Sequence, residues 1–438
     1  MTHYGLNPSF AGPTSPLPLF ADALRRGIPM PDGRLRLFDG VPCPLVHSSA
    51  SIELTTGGSG ATFTSSPPAD ADQARLRQSV GNWHRPSLEA LAALRPSVLR
   101  TLDWSMANHR PDWSKPRVLS TDRLQATKAG MAVELQAEAA NLLGCHLWWC
   151  APPRFELTVA QYEARLEELL ATIKAHAHRA PILEYGNELW NAAFPVHVWL
   201  QNESMRQHSE HVAVRWHDVA AQEIALLERV ADRVFGPPGP LGAQPYYLFV
   251  GGQLTVPSHL DRILSALADL GVTPDLAGPA LYVRPMKAQQ EEWEATGAIP
   301  TQDELRASCF ARLEEISAVN RGYGAIPESQ GPLYRHGETV TQHGVPFFAC
   351  YEAGQSLIAG SHPWRRAALE AQGTEWMGEL YREIRSVAES AGVDLLCWYS
   401  AATQQDPKDP RVDVFGLLES DEADVSKWLP KARAARGD

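Results

Sequence analysis

Along most of this chain, short runs of β-branched and aromatic residues alternate with longer segments of helical period, and this alternation constrains the fold more than any other feature. Strand and helix in regular succession imply parallel strands joined by helical crossovers. Strand-like runs fall at 97–103, 145–150, 182–185, 246–250, 279–283, 346–351 and 393–398. A helical stretch at 86–94, with proline in its first turn, precedes the first of them. Others at 132–143, 159–176, 212–234, 258–270, 303–320 and 364–389 lie between them.

Residues 2–6 supply the best eighth strand, which closes an α/β fold, a (β/α)8 or TIM barrel, with 1–438 as a single unit. Residues 10–80 then form a long decorated excursion after strand one. Within it 50–63 (ASIELTTGGSGATF) reads as a hairpin with a glycine turn. The alternative is that 10–80 forms a separate small β domain. With 44% hydrophobic and 21% charged residues, the chain is neither disordered nor fibrous. Its 51 acidic against 39 basic residues leave a net charge of −12, which argues against nucleic acid and anionic membrane as partners. No apolar run approaches the ~20 residues of a membrane helix. The start, MTHYGLNPSF, lacks the layout of a signal peptide, so the expected location is the cytoplasm or a phage particle. The six cysteines form no dense framework, four lie in apolar strand-like runs, and the five-residue spacing of Cys145 and Cys150 is not that of zinc ligands. Reduced buried thiols are expected, with no metal and no cofactor.

Two glutamates stand out by position. In ILEYGNELWN, Glu188 follows the fourth strand at its C-terminal end, where barrel enzymes keep their chemistry. In PFFACYEAG, Glu352 does the same for the seventh. Strand alternation puts Glu184, Gly186 and Glu188 on one face, and Phe348, Cys350 and Glu352 on one face. If Gly186 and Cys350 point into the barrel, both carboxylates meet at its rim. Two carboxyl groups ~5–5.5 Å apart form the retaining glycosidase arrangement, one donating a proton and the other attacking as nucleophile. That chemistry needs a split in pKa, which mutual repulsion and unequal burial provide. Taken singly, each glutamate is better explained as a strand-end residue satisfied by a helix N-terminus or an arginine; it is the pair in these contexts that points to chemistry.

Sugar sites also want flat apolar platforms beside hydrogen-bond donors. Of the 13 tryptophans, Trp104 follows strand two, Trp148 and Trp149 lie on strand three, Trp190 follows Glu188, and Trp398 ends strand eight. Adjacent strand residues face opposite ways, so one of Trp148 and Trp149 packs against helices.

The Asn187-Glu188 pair in YGNELWN, the second glutamate in YEAGQ 164 residues later (352 − 188) and the tryptophan closing strand eight resemble glycoside hydrolase clan A, barrels with catalytic glutamates on strands four and seven. LRTLDWS, GMAVELQAEAANLLGCHLWWCAP, EYGNELWN, FVGGQ, YEAGQSL and the early GLN further resemble a group of little-characterised bacterial and phage proteins of that kind, over nearly the whole chain. The resemblance implies Glu188 as general acid/base and Glu352 as nucleophile of a retaining hydrolase acting on an oligo- or polysaccharide. It implies Asn187 on the sugar 2-hydroxyl, Arg100 supporting the ionised nucleophile, Tyr282 donating to it, and Trp398 stacking beneath the sugar. Pro153 stands where the family often has histidine, and ALYVRP lacks the histidine common near the strand-six tyrosine.

Among weaker signals, Trp149, Trp190, Asp103 and Gln253 are candidate substrate contacts. Asp103 alternatively caps a helix or pairs with Arg100, and Asn108, His109 and Arg110 fall in a loop that can line the cleft. His176 and His178 sit at a helix C-terminus on the wrong face of the barrel for a metal site, where they complement the helix dipole. GGSG at 57–60 lacks the lysine of a phosphate loop and reads as a turn. Two competing functions remain: a carbohydrate-binding or virion-associated structural barrel without catalysis, and a metal-dependent barrel hydrolase. Sugar and linkage depend on loop shape, which these motifs do not encode.

Overall fold

The computed structural model describes residues 3–7, 28–29, 35–36, 79–80, 83–122, 125, 129–209, 213–237, 244–317, 331–357, 362–401, 415–418 and 424–437. Eight parallel strands close a barrel: β1 (His3–Asn7), β2 (Val98–Arg100), β3 (His146–Ala151), β4 (Ile182–Tyr185), β5 (Tyr247–Gly252), β6, β7 (Phe347–Gln355) and β8 (Leu395–Tyr399). β6 comes in two pieces, Leu276–Pro279 and Leu281–Val283. The first piece pairs with both β5 and β7, the second with β7 alone, and β1 pairs with β8 and β2, so the barrel closes through the first piece of β6.

The residues sort into two packed layers. Inside the barrel lie Val98, Trp148, Ile182, Phe249, Leu276, Ala349, Tyr351, Leu395 and Cys397. Outside it, Leu99, Leu147, Trp149, Leu183, Tyr185, Leu248, Cys350, Leu396 and Trp398 pack against the surrounding helices. Most strands are therefore apolar on both faces, as in parallel barrels generally, with Asn7, Arg100 and Glu184 as buried polar exceptions inside. Helix starts follow local chemistry: Thr158 caps Val159–His176 by accepting from the Gln161 N–H, in a capping box.

Several expectations shift. The run at 97–103 is a strand only to Arg100, after which the chain turns, the Ser105 N–H bonding the Thr101 carbonyl and the Ala107 N–H bonding that of Leu102. The single helix expected at 364–389 is two, Arg365–Ala371 and Glu375–Ser390. Gly373 separates them, and Thr374 accepts from the Met377 N–H to start the second. Between β6 and β7 the expected helix is Gln302–Ser317, flanked by two more at Lys287–Thr296 and Pro332–Gln342. In the 10–80 excursion the described pieces are antiparallel pairs, Ile28–Pro29 with Leu35–Arg36 and Ser79–Val80 with Trp83–His84. The hairpin expected at 50–63 and the turn at 57–60 lie outside the described residues. Cys145, Cys150, Cys309, Cys350 and Cys397 are free and buried; Cys43 lies outside the described residues. Among the described residues no helix is long and apolar enough to cross a membrane.

Candidate active site

Arg100, at the end of β2, is fully buried inside the barrel and uses all five of its N–H donors. Nε and Nη2 grip the two oxygens of Glu184 at 2.8 and 2.9 Å. Nη1 donates to Asn7 Oδ1 at 3.1 Å and to Glu352 Oε1 at 2.8 Å. Nη2 also reaches Asn187 Oδ1 at 2.7 Å. The guanidinium lies between the rings of Trp148 and Tyr351, 5.5 and 5.0 Å from their centroids. A buried cation costs several kcal/mol unless paired and fully bonded, and here every donor has an acceptor. Glu184 is satisfied in turn, accepting further bonds from Trp148 Nε1 at 2.8 Å and the Cys150 thiol at 3.3 Å.

Above this floor opens a cleft of about 480 Å³ at the C-terminal ends of the strands, and both Glu188 and Glu352 line it. Neither arrives by regular alternation. Gly186 (φ +66°) and Glu188 (φ +44°) both take left-handed backbone, which turns the chain after β4 so that Glu188 enters the cleft. For a residue other than glycine this conformation is uncommon and costs of order 1–3 kcal/mol, a strain typical of functional positions. Contrary to expectation, Gly186 faces outward. A Cβ there would lie 2.9 Å from Leu189 and 3.6 Å from Pro153. Cys350 also faces the helices, and it is a register shift between Cys350 and Ala353 that brings Glu352 to the barrel mouth.

The two carboxyls sit in different surroundings. Glu352, buried, accepts from Arg100 on one oxygen and from the Tyr282 hydroxyl at 2.9 Å on the other. Burial raises its pKa, and both donors oppose that rise by favouring the ionised form. Glu188 accepts from Asn191 Nδ2 at 2.7 Å, with the Tyr351 hydroxyl 3.5 Å away. Burial and then the charge of Glu352 push it up to about 7. One guanidinium shared by Glu184 and Glu352 leaves an excess negative charge beneath Glu188, which favours a proton on it.

Of the other expected residues, Asn187, Tyr282, Trp190 and Gln253 line the cleft, as does Asn108. Asn187 is clamped between Arg100 and Asn108, donating to Asn108 Oδ1 at 2.8 Å, which leaves its second amide hydrogen for a ligand. Asp103 does not line the cleft. It is half-buried, and burial followed by the Glu352 charge raises it to about 7. His109 and Arg110 are exposed, Arg110 pairing with Glu156 at 2.6 Å.

Two expected contacts are corrected. Trp398 points away from the cleft into the helical layer, stacked on Tyr4 and donating to the Ala435 carbonyl at 3.1 Å. Leu395, Cys397 and Tyr399 are the inward residues of β8, and Tyr399 takes the cleft position. Trp149 is likewise the outward member of its pair, while Trp148 faces inward beneath the cleft. The aromatic walls are Trp190 and Phe194 at the end of β4, and Tyr282, Tyr399 and Phe415 opposite, with ring centroids 5.3–6.2 Å apart among the last three. Glu184, Tyr351, Asn191, Phe194, Tyr399 and Phe415 were not anticipated. An inward Glu184 was the one with a signal, since a carboxylate in the middle of an apolar strand demands a buried cation.

Together these groups define a barrel with a paired-carboxylate cleft over a saturated arginine. No protein-family model matches the chain, and no curated protein matches it in sequence. Among solved structures it is similar to the GH51 arabinofuranosidase of Xanthomonas axonopodis pv. citri, with 11% identity, a TM-score of 0.41, and coverage of 74% of this chain and 61% of that one. It is also similar to a psychrophilic family 10 endo-β-1,4-xylanase (10%, 0.42, 80% and 91%) and to the GH53 catalytic domain of Ignisphaera aggregans (12%, 0.43, 80% and 87%). The chain spans about three fifths of the length of the arabinofuranosidase it matches.

Proposed function

We propose that this chain is a retaining glycoside hydrolase acting on an oligo- or polysaccharide, with Glu188 as general acid/base and Glu352 as nucleophile. The observation that carries the reading is the unequal environment of two carboxyls in one cleft: Glu352 is bonded on both oxygens by Arg100 and Tyr282, while Glu188 is lifted to about 7. In the first step Glu188 gives its proton to the glycosidic oxygen as the C1–O bond breaks, and a Glu352 oxygen bonds to C1. In the second, the Glu188 carboxylate takes a proton from water, whose oxygen bonds to C1 and releases Glu352 as carboxylate. Asn187 orients the sugar through its free amide hydrogen, and the aromatic walls hold its apolar faces.

The test is turnover of a panel of aryl glycosides and polysaccharides. Glu352→Ala is expected to lower kcat on the order of 10⁵-fold or more, and Glu188→Ala by roughly 10²–10⁴-fold. Azide is expected to rescue Glu352→Ala, giving a glycosyl azide of inverted configuration. Proton NMR of the wild-type product is expected to show the substrate's anomeric configuration. Inverted product rejects the double displacement, and wild-type turnover by either variant rejects the assignment.

A further inference from the structure

The cleft holds two arginines that the chemistry above does not use. Arg284 and Arg312 both line it. Tyr282, Val283 and Arg284 follow the strand alternation, with Val283 buried among the helices and the other two facing the cleft. Two residues along an extended chain span roughly 7 Å, so Arg284 stands that far outward from the tyrosine that touches Glu352. Arg312 approaches from the helix Gln302–Ser317.

Neither cation is neutralised by the cleft's acids. Both Glu352 oxygens are taken by Arg100 and Tyr282, and Glu188 is bonded by Asn191. Among the described residues Arg284 has no hydrogen-bond or ion-pair partner. Arg312 donates Nη1 to Glu315, but its Nε is buried with no acceptor. A buried N–H left unbonded costs about 1–3 kcal/mol, which a ligand acceptor would recover. Among the described residues the one carboxylate placed on either arginine is Glu315, on Arg312. Guanidinium forks suit planar or tetrahedral oxyanions better than single hydroxyls.

We propose that Arg284 and Arg312 form a subsite for the anionic group of an acidic saccharide, a uronate carboxylate or a sulfate ester, on the unit next to the bond that is cleaved. The position relative to that bond rests on the hydrolase reading above; the anion site itself does not.

The experiment uses the full chain carrying Glu188→Gln, so that ligands persist, titrated with uronate oligosaccharides (polygalacturonate and alginate fragments), sulfated galactan fragments, and neutral xylan and galactan fragments. The acidic compounds are expected to bind at least tenfold more tightly than their neutral counterparts, and the uronate and sulfate arms identify which anion is preferred. Adding Arg284→Gln or Arg312→Gln is expected to abolish that preference while leaving neutral binding within twofold. Equal binding of neutral and acidic compounds, absence of binding by every acidic class, or a preference that survives both substitutions overturns the subsite. Turnover by the wild type separates the two readings. Acidic saccharides bound through Arg284 but never cleaved sustain the subsite and reject the hydrolase. Acidic and neutral glycans cleaved with equal kcat/KM, and acidic ones with kcat/KM unchanged by Arg284→Gln and Arg312→Gln, sustain the hydrolase and reject the subsite.

Discussion

The floor of the barrel and the rim of its cleft use arginine in opposite ways. Arg100 is sealed from water with five acceptors and two aromatic faces around it. Arg284 is exposed and unpartnered among the described residues. A saturated cation holds its neighbours in place and sets their protonation, because moving any of them strands a buried charge. An unsaturated one organises nothing in the free protein and has its bonding capacity left for whatever enters. The contrast teaches that charge at a site divides into scaffold and receptor, and that counting bonds per donor separates them.

The sharpest way to break the comparison is to remove each cation. Arg100→Met leaves Glu184 and Glu352 buried without their partner and is expected to cost about 3–5 kcal/mol in urea unfolding. Arg284→Met is expected to stay within about 0.5 kcal/mol of wild type; similar losses for both would erase the distinction. The two tryptophans sharpen it further. Trp398→Ala is expected to destabilise by about 3–5 kcal/mol with unchanged KM in the folded fraction, because the ring lies in the helical layer. Trp190→Ala is expected to raise KM instead. Next in size, Tyr282→Phe removes one charge-assisted bond to Glu352, worth about 1.5–3 kcal/mol, and is expected to lower kcat roughly ten- to a hundredfold.

The smallest effect concerns pH. Glu188 titrates near 7 in the folded chain against an ordinary 4.5, so between those values the native state binds the extra proton and stability falls as pH rises. Glu188→Gln removes that loss. Its melting temperature is expected to exceed the wild type's by a margin that widens from pH 5 to pH 8, where a constant margin would contradict the raised pKa. The same proton predicts that wild-type kcat/KM declines as pH passes about 7.

The eight strands and most helices were legible because their periodicities differ, and the two glutamates because they belong to the C-terminal halves of the right strands or just beyond, Glu352 lying within β7 and Glu188 after β4. What the sequence did not disclose was phase. A parallel barrel strand is apolar on both faces, so nothing in LLCWY says whether Trp398 or Tyr399 looks inward. The glutamates were placed by alternation, yet they reach the cleft through left-handed backbone at 186 and 188 and a register shift after Cys350. Both devices depend on contacts far along the chain. Arg100 was legible only through family resemblance, and its bond to Glu184 was missed because Arg100 alone looks like a strand-end charge, although a carboxylate within an apolar strand asks for a buried cation.

The divided sixth strand has a mechanical consequence. It changes neighbours at Ala280, and Gly278 sits so close to β7 that a Cβ would run into the Ala349 carbonyl oxygen. Beyond this seam the strand is held by β7 alone, so the amides of its second piece should be among the earlier ones within the sheet to exchange with heavy water. Tyr282, immediately past the seam, would carry any such loosening straight to Glu352.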